Sequence, residues 1–425
     1  MPLQIPKQTY EGRISNAMRR VCLPDDVLDL IFETMITDPS LGWSASFKFG
    51  SVKRFIEALR KHQPCNYLLV CRQWTQVILN NRYLWSTVLV DPWSLQDLGF
   101  NAVHAKVEAH IQRSGKLPLD VVFVCGVISY SLKSDTLASQ RDDQLELLQL
   151  LAGNAGQVAA RWGTCIVAWQ AAIQSRKTDN PALTFPMPRL TSLSIWRWPM
   201  NNFPEDCFAH TPALKHISGD SFTIGRWAKE CLSQVLTLET SDKFFDGPFR
   251  ILPHLHSVTI LKLHMRRREF WQVEERLEGI PPVSLPNVIE FTVQGAVNTE
   301  FLSKFKLEGL RSLSLQLEAE LVAKSDPLFA VLNTFASPRI ASLDFSITQS
   351  CTDNSKPADI VEWLISFLEA LPNVKRVTGT HHFLCAVLEA KQRKGEILPL
   401  ADLSRIARSM QQSKPRKAVQ LKSSA

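Results

Sequence analysis

Leu190-Thr191-Ser192-Leu193-Ser194-Ile195 and Leu310-Arg311-Ser312-Leu313-Ser314-Leu315 are two copies of one pattern: an apolar residue, two others, an apolar residue, one other, an apolar residue. It returns as Leu255-x-x-Val258-x-Ile260, Val288-x-x-Phe291-x-Val293 and Ile340-x-x-Leu343-x-Phe345, with weaker copies from Leu214 to Gly219, Ser233 to Leu238 and Val374 to Gly379. Strand side chains alternate between faces with period two, so the residue between the last two apolar positions points away from them. Those residues are Ser194, Ser218, Thr237, Thr259, Thr292, Ser314, Asp344 and Thr378, all small and polar. A stack of parallel strands with one side packed under helices and the other solvated has this signature.

The copies start 24, 19, 22, 33, 22, 30 and 34 residues apart, a range straddling the roughly 20 to 29 residues of leucine-rich repeats. The reading is an irregular α/β solenoid. A helix patterned on Ile360, Leu364, Phe367, Leu368 and Leu371 supplies cover before the last copy. The asparagine ladder of regular repeats is missing, since Trp198 and Glu318 stand where Asn is expected. Upstream, from about residue 96, the chain runs as helix-then-strand units: Val103, Val107 and Ile111 form a stripe ended by Ser114-Gly115, and Leu119 to Val124 follows as a strand. Gln144 to Leu151 and Cys165 to Val167 repeat that order.

The N-terminal hundred residues read differently. Leu23-Pro24-Asp25-Asp26 opens a helix, with Pro24 suited to its first position and the aspartates to the positive end of its dipole. Val27, Leu28, Ile31 and Met35 recur at helical spacing, while Leu30 and Phe32 broaden the stripe beyond one buried face. A helix this broad meets more than one surface. Leu68, Cys71, Trp74 and Ile78 predict a second helix, stopped at Asn80-Asn81, and Tyr83-Leu84-Trp85 leads into the strand-like Val88-Leu89-Val90. Between the two helices lies an interruption from Thr37 to Asn66 with its own amphipathic pattern, Val52, Phe55, Ile56 and Leu59, opposite Lys53, Arg54, Arg60 and Lys61.

Composition narrows the function classes. The chain has 425 residues, 45% hydrophobic and 21% charged, an ordinary globular balance. No apolar stretch reaches the roughly 18 to 20 residues of a membrane span, because even Leu117 to Ile128 contains Pro118 and Asp120. The N-terminus has no apolar signal core, with Lys7, Glu11, Arg13, Arg19 and Arg20 spread through it. Nine scattered cysteines form no Cys-x-x-Cys pair, which points to free thiols in the cytosol or nucleus and no structural zinc. Six of the seven net positive charges sit beyond Leu403, on Arg405, Arg408, Lys414, Arg416, Lys417 and Lys422. The nearly neutral body offers no basic face for nucleic acid, and the tail reads as a disordered solvated end.

The blocks Leu23-Pro24-Asp25-Asp26-Val27-Leu28-x-x-Ile31-Phe32, Leu69-Val70-Cys71-Arg72-Gln73-Trp74 and Tyr83-Leu84-Trp85 resemble an F-box, and the repeats behind them resemble those of the leucine-rich F-box class in its expanded fungal sets. The resemblance implies a layout of an N-terminal arm (1–20), an F-box-like domain (21–95) with an insertion at 37–66, a repeat domain (96–403) and a basic tail (404–425). It implies the substrate-recognition subunit of a cullin-type (SCF) ubiquitin ligase, docking on the Skp-type adaptor and, through it, on cullin. By position, the adaptor contacts it implies are Leu23, Pro24, Val27, Leu28, Ile31, Phe32, Leu69, Val70, Cys71, Trp74, Leu84 and Trp85, with Trp85 turned onto the box itself. The insertion is far longer than the turn the family places there. It either packs back on the box or displaces part of the adaptor contact, and in the second case the chain is a repeat scaffold with a degenerate box.

For the substrate protein, exposed aromatic and Arg side chains around Trp196 and Trp198 and at Arg266, Arg267 and Arg268 are the expected contacts. No Gly-rich phosphate loop, nucleophile elbow or His-Glu-x-x-His occurs, so neither a cofactor nor an enzyme is expected. An enzyme would need titratable groups on the exposed strand row, which reads as nearly all Ser and Thr. His254 and His256, two apart on an expected strand, have metal-chelating spacing but no third ligand; they and His381-His382 read as surface histidines.

Overall fold

The computed structural model describes residues 23–36, 52–61, 63–126, 134–170, 181–196, 207–225, 229–242, 246–265, 277, 279–295, 299–318, 339–348 and 376–379. They fall into two compact units, divided between Asp120 and Val121.

In the first unit, α1 (Asp25–Ile36) starts where Pro24 ends. The Pro24 carbonyl accepts the N–H groups of Val27 and Leu28 at 3.1 and 3.0 Å. The interruption contains α2 (Val52–Lys61). The second expected helix begins later than its apolar pattern, as α3 (Arg72–Asn80), because Cys71 is extended and its sulfur accepts the Trp74 N–H. Leu68, Leu69 and Val70 thereby fall into a turn. Strand β1 (Thr87–Val90), α4 (Pro92–Leu98) and α5 (Phe100–Arg113) follow, the last packing on β1 and on the turn at Arg82–Trp85. Strand β2 (Leu119–Gly126) runs across the division of the units.

The second unit holds α6 (Ser134–Ala152), then β3 (Trp162–Gln170), β4 (Ser192–Trp196), β5 (His216–Gly219), β6 (Thr237–Asp242), β7 (Ile260–Met265), β8 (Val283–Ser284), β9 (Glu290–Gly295), β10 (Phe305–Lys306), β11 (Ser312–Glu318), β12 (Ser342–Thr348) and β13 (Arg376–Gly379). From β3 the main sheet runs in chain order through β4, β5, β6, β7, β9, β11 and β12 to β13, while β8 and β10 pair separately. Every pairing in this run is parallel.

One register line threads the sheet: Cys165, Leu193, Ile217, Leu238, Leu261, Phe291, Leu313, Leu343 and Val377. All of these except Val377, whose side chain lies outside the described set, are buried. Ahead of each strand the chain repeats one hydrogen-bond step. The carbonyls of Thr191, Lys215, Leu236, Thr259, Ile289 and Arg311 each accept two successive N–H groups from the next unit, at 2.8 to 3.1 Å. Equal steps of this kind define a repeat even where the intervening lengths vary, and the array is leucine-rich-repeat-like. Short helices after the strands bury Ile224, Phe249, Ile251, Phe301 and Leu302, and Phe249, Phe301, Phe305 and Phe291 share ring contacts of 5.2 to 5.4 Å.

The register corrects two of the expected strands. The pattern copies at Ser233 and Leu255 are displaced; the copies in register are Val235-x-x-Leu238-x-Thr240 and Val258-x-x-Leu261-x-Leu263, whose residues are buried. Each misread segment carries an extra apolar residue nearby, Leu236 or Ile260, which completes a false copy. The aligned starts from Leu190 to Ile340 are 24, 21, 23, 30, 22 and 30 residues apart, a tighter spacing than the sequence pattern gave. The helix expected around residues 360 to 371 lies outside the described residues.

Candidate functional site

The helical unit folds around Leu28 and Phe32 of α1, Val77 and Ile78 of α3, and Leu84 and Trp85, with Tyr67, Leu68, Trp74 and Leu79 packed against them. Phe32 meets Trp74 edge-on at 5.1 Å. The Trp85 indole N–H donates to the Ile78 carbonyl at 2.8 Å, and Arg113 lies over the Trp85 ring at 4.8 Å. Beneath it, His110 is buried with Nδ1 3.2 Å from the Trp85 carbonyl, and burial drives its pKa down to about 3, leaving it neutral. Polar ties fix how α1 sits: the Gln73 amide donates to the Leu23 carbonyl at 2.6 Å and to Asp25 at 2.8 Å, and the Asn81 amide donates to Asp29 at 2.9 Å.

This core uses only part of the apolar surface. The expected contact residues divide: Leu28, Phe32, Leu84 and Trp85 are interior, Trp74 is half-buried, and Leu23, Pro24, Val27, Ile31, Leu69, Val70 and Cys71 are exposed. Leu69 is 96% exposed, Leu30 65% and Val70 56%. On α1 the exposed set, Val27, Leu30, Ile31 and Thr34, recurs at i, i+3, i+4 and i+7, a second helical stripe beside the buried one. Leu30 was legible as surplus width in the stripe but fell outside the family-matched positions.

The interruption packs back on the unit. Ile56 and Leu59 of α2 are buried, Arg60 pairs with Asp97 of α4 at 2.9 Å, and the Tyr67 hydroxyl donates to the Lys61 carbonyl at 3.1 Å. A groove of about 590 Å³ in the same unit is lined by Asp25, Asp29, Asn80, Asn81 and Tyr83 among others.

In the second unit the register resets the mid-strand polar row to Ser194, Ser218, Glu239, Lys262, Thr292, Ser314, Asp344 and Thr378. Glu239 and Lys262 replace the expected Thr237 and Thr259, so the row is more charged than Ser and Thr alone. The Ser194 and Ser218 hydroxyls meet at 2.5 Å, and Ser314 donates to Asp344 at 3.2 Å. His264 reaches Gln294 on β9 through Nδ1 at 2.9 Å and faces Glu239 on β6 through Nε2 at 3.2 Å, a close contact without hydrogen-bond alignment. At the end of β6, Asp242 accepts the backbone and hydroxyl donors of Ser221 at 2.8 and 2.6 Å, and burial holds its pKa up at about 6.

Of the expected substrate contacts, Trp198, Arg266, Arg267 and Arg268 lie outside the described residues, and Trp196 is placed only by its backbone at the end of β4. His254 belongs to a 3-10 turn and His256 precedes β7, so the pair does not share a strand face; His381 and His382 lie outside the described residues. Among the described residues there is no His, Cys, Asp and Glu cluster able to hold a metal, and no helix long and apolar enough to cross a membrane. Cys65 and Cys71 are free thiols, the Cys231 thiol donates to the Phe208 carbonyl at 3.0 Å, and burial pushes the Cys165 thiol far up.

No family model matches the chain. No curated protein matches it either. Among solved structures it is similar to a protein from Bacteroides fragilis, at 10% identity over 71% of this chain and 81% of that one, with a TM-score of 0.27. It is also similar to an internalin from Listeria monocytogenes, at 11% identity over 52% of this chain and 68% of that one, with a TM-score of 0.22.

Proposed function

We propose that this chain is a non-catalytic protein-interaction adaptor in the cytosol or nucleus: an F-box-like helical unit docks on a Skp-type adaptor and, through it, on cullin, while the strand array holds a substrate protein for ubiquitin transfer. The observation that carries the docking half is the split within the motif. Leu28, Phe32, Leu84 and Trp85 fill the interior, while Leu23, Val27, Leu30, Ile31, Leu69 and Val70 leave apolar surface in water. A surplus of exposed large apolar side chains in one small unit is the mark of a protein contact. The packing of α2 onto its own unit favours an intact box over the degenerate-box scaffold.

The substrate half draws on the repeat architecture, whose stacked strands present one extended polar face. A receptor of this kind works by proximity, raising the effective concentration of substrate lysines beside a recruited conjugating enzyme. The test is titration of the purified Skp-type adaptor against wild type and a Leu23→Ala/Pro24→Ala variant. Binding by wild type that is lost in the variant, with the melting temperature kept, supports the reading. No binding by wild type under conditions that support an ordinary F-box protein overturns it.

A further inference from the structure

A leucine left almost wholly in water normally sits on a loose segment, yet the turn that carries Leu69 and Val70 is tied down on both sides. Upstream, the Asn66 side-chain amide donates to the carbonyls of Arg60 and Lys61 at 2.7 and 3.2 Å, which closes the C-terminal end of α2. The neighbouring Tyr67 hydroxyl donates to the Lys61 carbonyl at 3.1 Å, while its ring packs on Phe32 of α1 with centroids 6.0 Å apart. Within the turn, the Val70 N–H reaches the Tyr67 carbonyl at 3.4 Å. Downstream, the Thr75 hydroxyl lies within hydrogen-bond reach of the Leu68 carbonyl and of the Cys71 carbonyl. The Cys71 sulfur accepts the Trp74 N–H at 3.5 Å.

The upstream ties run to α2, the helix within the interruption. That helix is itself anchored by buried Ile56 and Leu59 and by the Arg60–Asp97 pair. Holding an apolar side chain out of the core gains nothing for the isolated fold. It lowers the ordering cost of a contact made there by a partner, because the backbone is fixed beforehand.

Resting on the docking reading above, we propose that Asn66 and Tyr67 are positioning residues for Leu69: through them α2 is a strut that holds the Leu69–Val70 turn in the shape the adaptor receives. The interruption is then part of the docking device. Asn66 and Tyr67 act through Leu69, so their effect on binding vanishes when the Leu69 side chain is gone.

The experiment is a double-mutant cycle on the full chain, with the purified Skp-type adaptor as titrant. Asn66→Ala and Tyr67→Phe are each made with Leu69 intact and in a Leu69→Ala background; Tyr67→Phe keeps the ring on Phe32 and so spares the fold if Asn66→Ala does not. With Leu69 intact, each change weakens binding by about three- to tenfold, the scale of one side chain's ordering cost. It also speeds amide exchange at Leu69 to Cys71. In the Leu69→Ala background the same changes leave affinity within about twofold. Equal losses in both backgrounds, or no loss in either, overturn the strut while leaving the docking reading in place. Failure of wild type to bind overturns the docking reading, and the strut falls with it.

Discussion

Among the described residues, the exposed large hydrophobic side chains are Leu23, Val27, Leu30, Ile31, Leu69, Val70, Tyr83 and Leu98 in the helical unit, against Leu236 and Ile289 in the strand array. In the array the described apolar residues almost all find cover: those at one register line are buried, and the opposite face carries Ser, Thr and a few charges. The helical unit carries more apolar surface than its small core can absorb. The difference separates a region that covers its own apolar side chains from one that leaves a surplus of them in water, the surplus on which the docking proposal rests.

The comparison breaks most visibly at Phe32 and Leu69, two apolar residues of the same motif. Phe32→Ala removes a wholly buried ring from the helical core and is expected to cost about 3 to 5 kcal/mol, read as a lowered urea midpoint of the helical unit's transition. Leu69→Ala changes stability by under about 0.5 kcal/mol. Similar losses at the two positions would mean that Leu69 is part of the core after all.

Within the array the next effect belongs to Gly295. Its φ of 102° and its position against Met265, where an added Cβ would lie 2.0 Å from the carbonyl oxygen, exclude any other residue without backbone movement. Gly295→Ala is expected to cost on the order of 1 to 3 kcal/mol, and a melting temperature equal to wild type would show that β7 and β9 are not held in this register.

A smaller effect is pH-linked. The folded pKa of Asp242 lies above its ordinary 3.8, at about 6, because burial disfavours the charge. Its contribution to stability is therefore full below 3.8 and is lost as pH rises through about 6, at up to roughly 1 kcal/mol per pH unit. Asp242→Asn keeps an acceptor for the Ser221 N–H and places an amide toward its hydroxyl. It is expected to flatten that part of the stability–pH curve, whereas an unchanged slope would assign the dependence to another group.

Much of the architecture was legible in the residues. The register line through Leu193, Phe291, Leu313 and Leu343 follows directly from the repeated apolar spacing, because alternation leaves one way to bury it. The strands at Thr237 and Ile260 were misplaced because Leu236 and Ile260 complete the same spacing out of register, and only the ladder of carbonyl contacts decides between the two. Glu239, which is buried, and Lys262 entered the polar row for that reason. In the helical unit the motif marked which residues are apolar but not which are inside. Leu28 and Ile31 look alike in sequence, and the choice between them is made by α3 and Trp85, which cover one side of α1 only. The tie from Tyr67 to Lys61 was illegible, since a hydroxyl bonded to a backbone carbonyl six residues away leaves no periodic trace.

The docking surface is tested most directly at Leu30, which is 65% exposed and lies outside the core. Isothermal titration of the purified Skp-type adaptor into wild type and Leu30→Glu is the measurement, with melting temperatures taken on both. The account predicts binding by wild type, loss of at least about 2 kcal/mol of binding free energy in the variant, where a carboxylate would be buried unpaired, and equal melting temperatures. Equal affinities would contradict it.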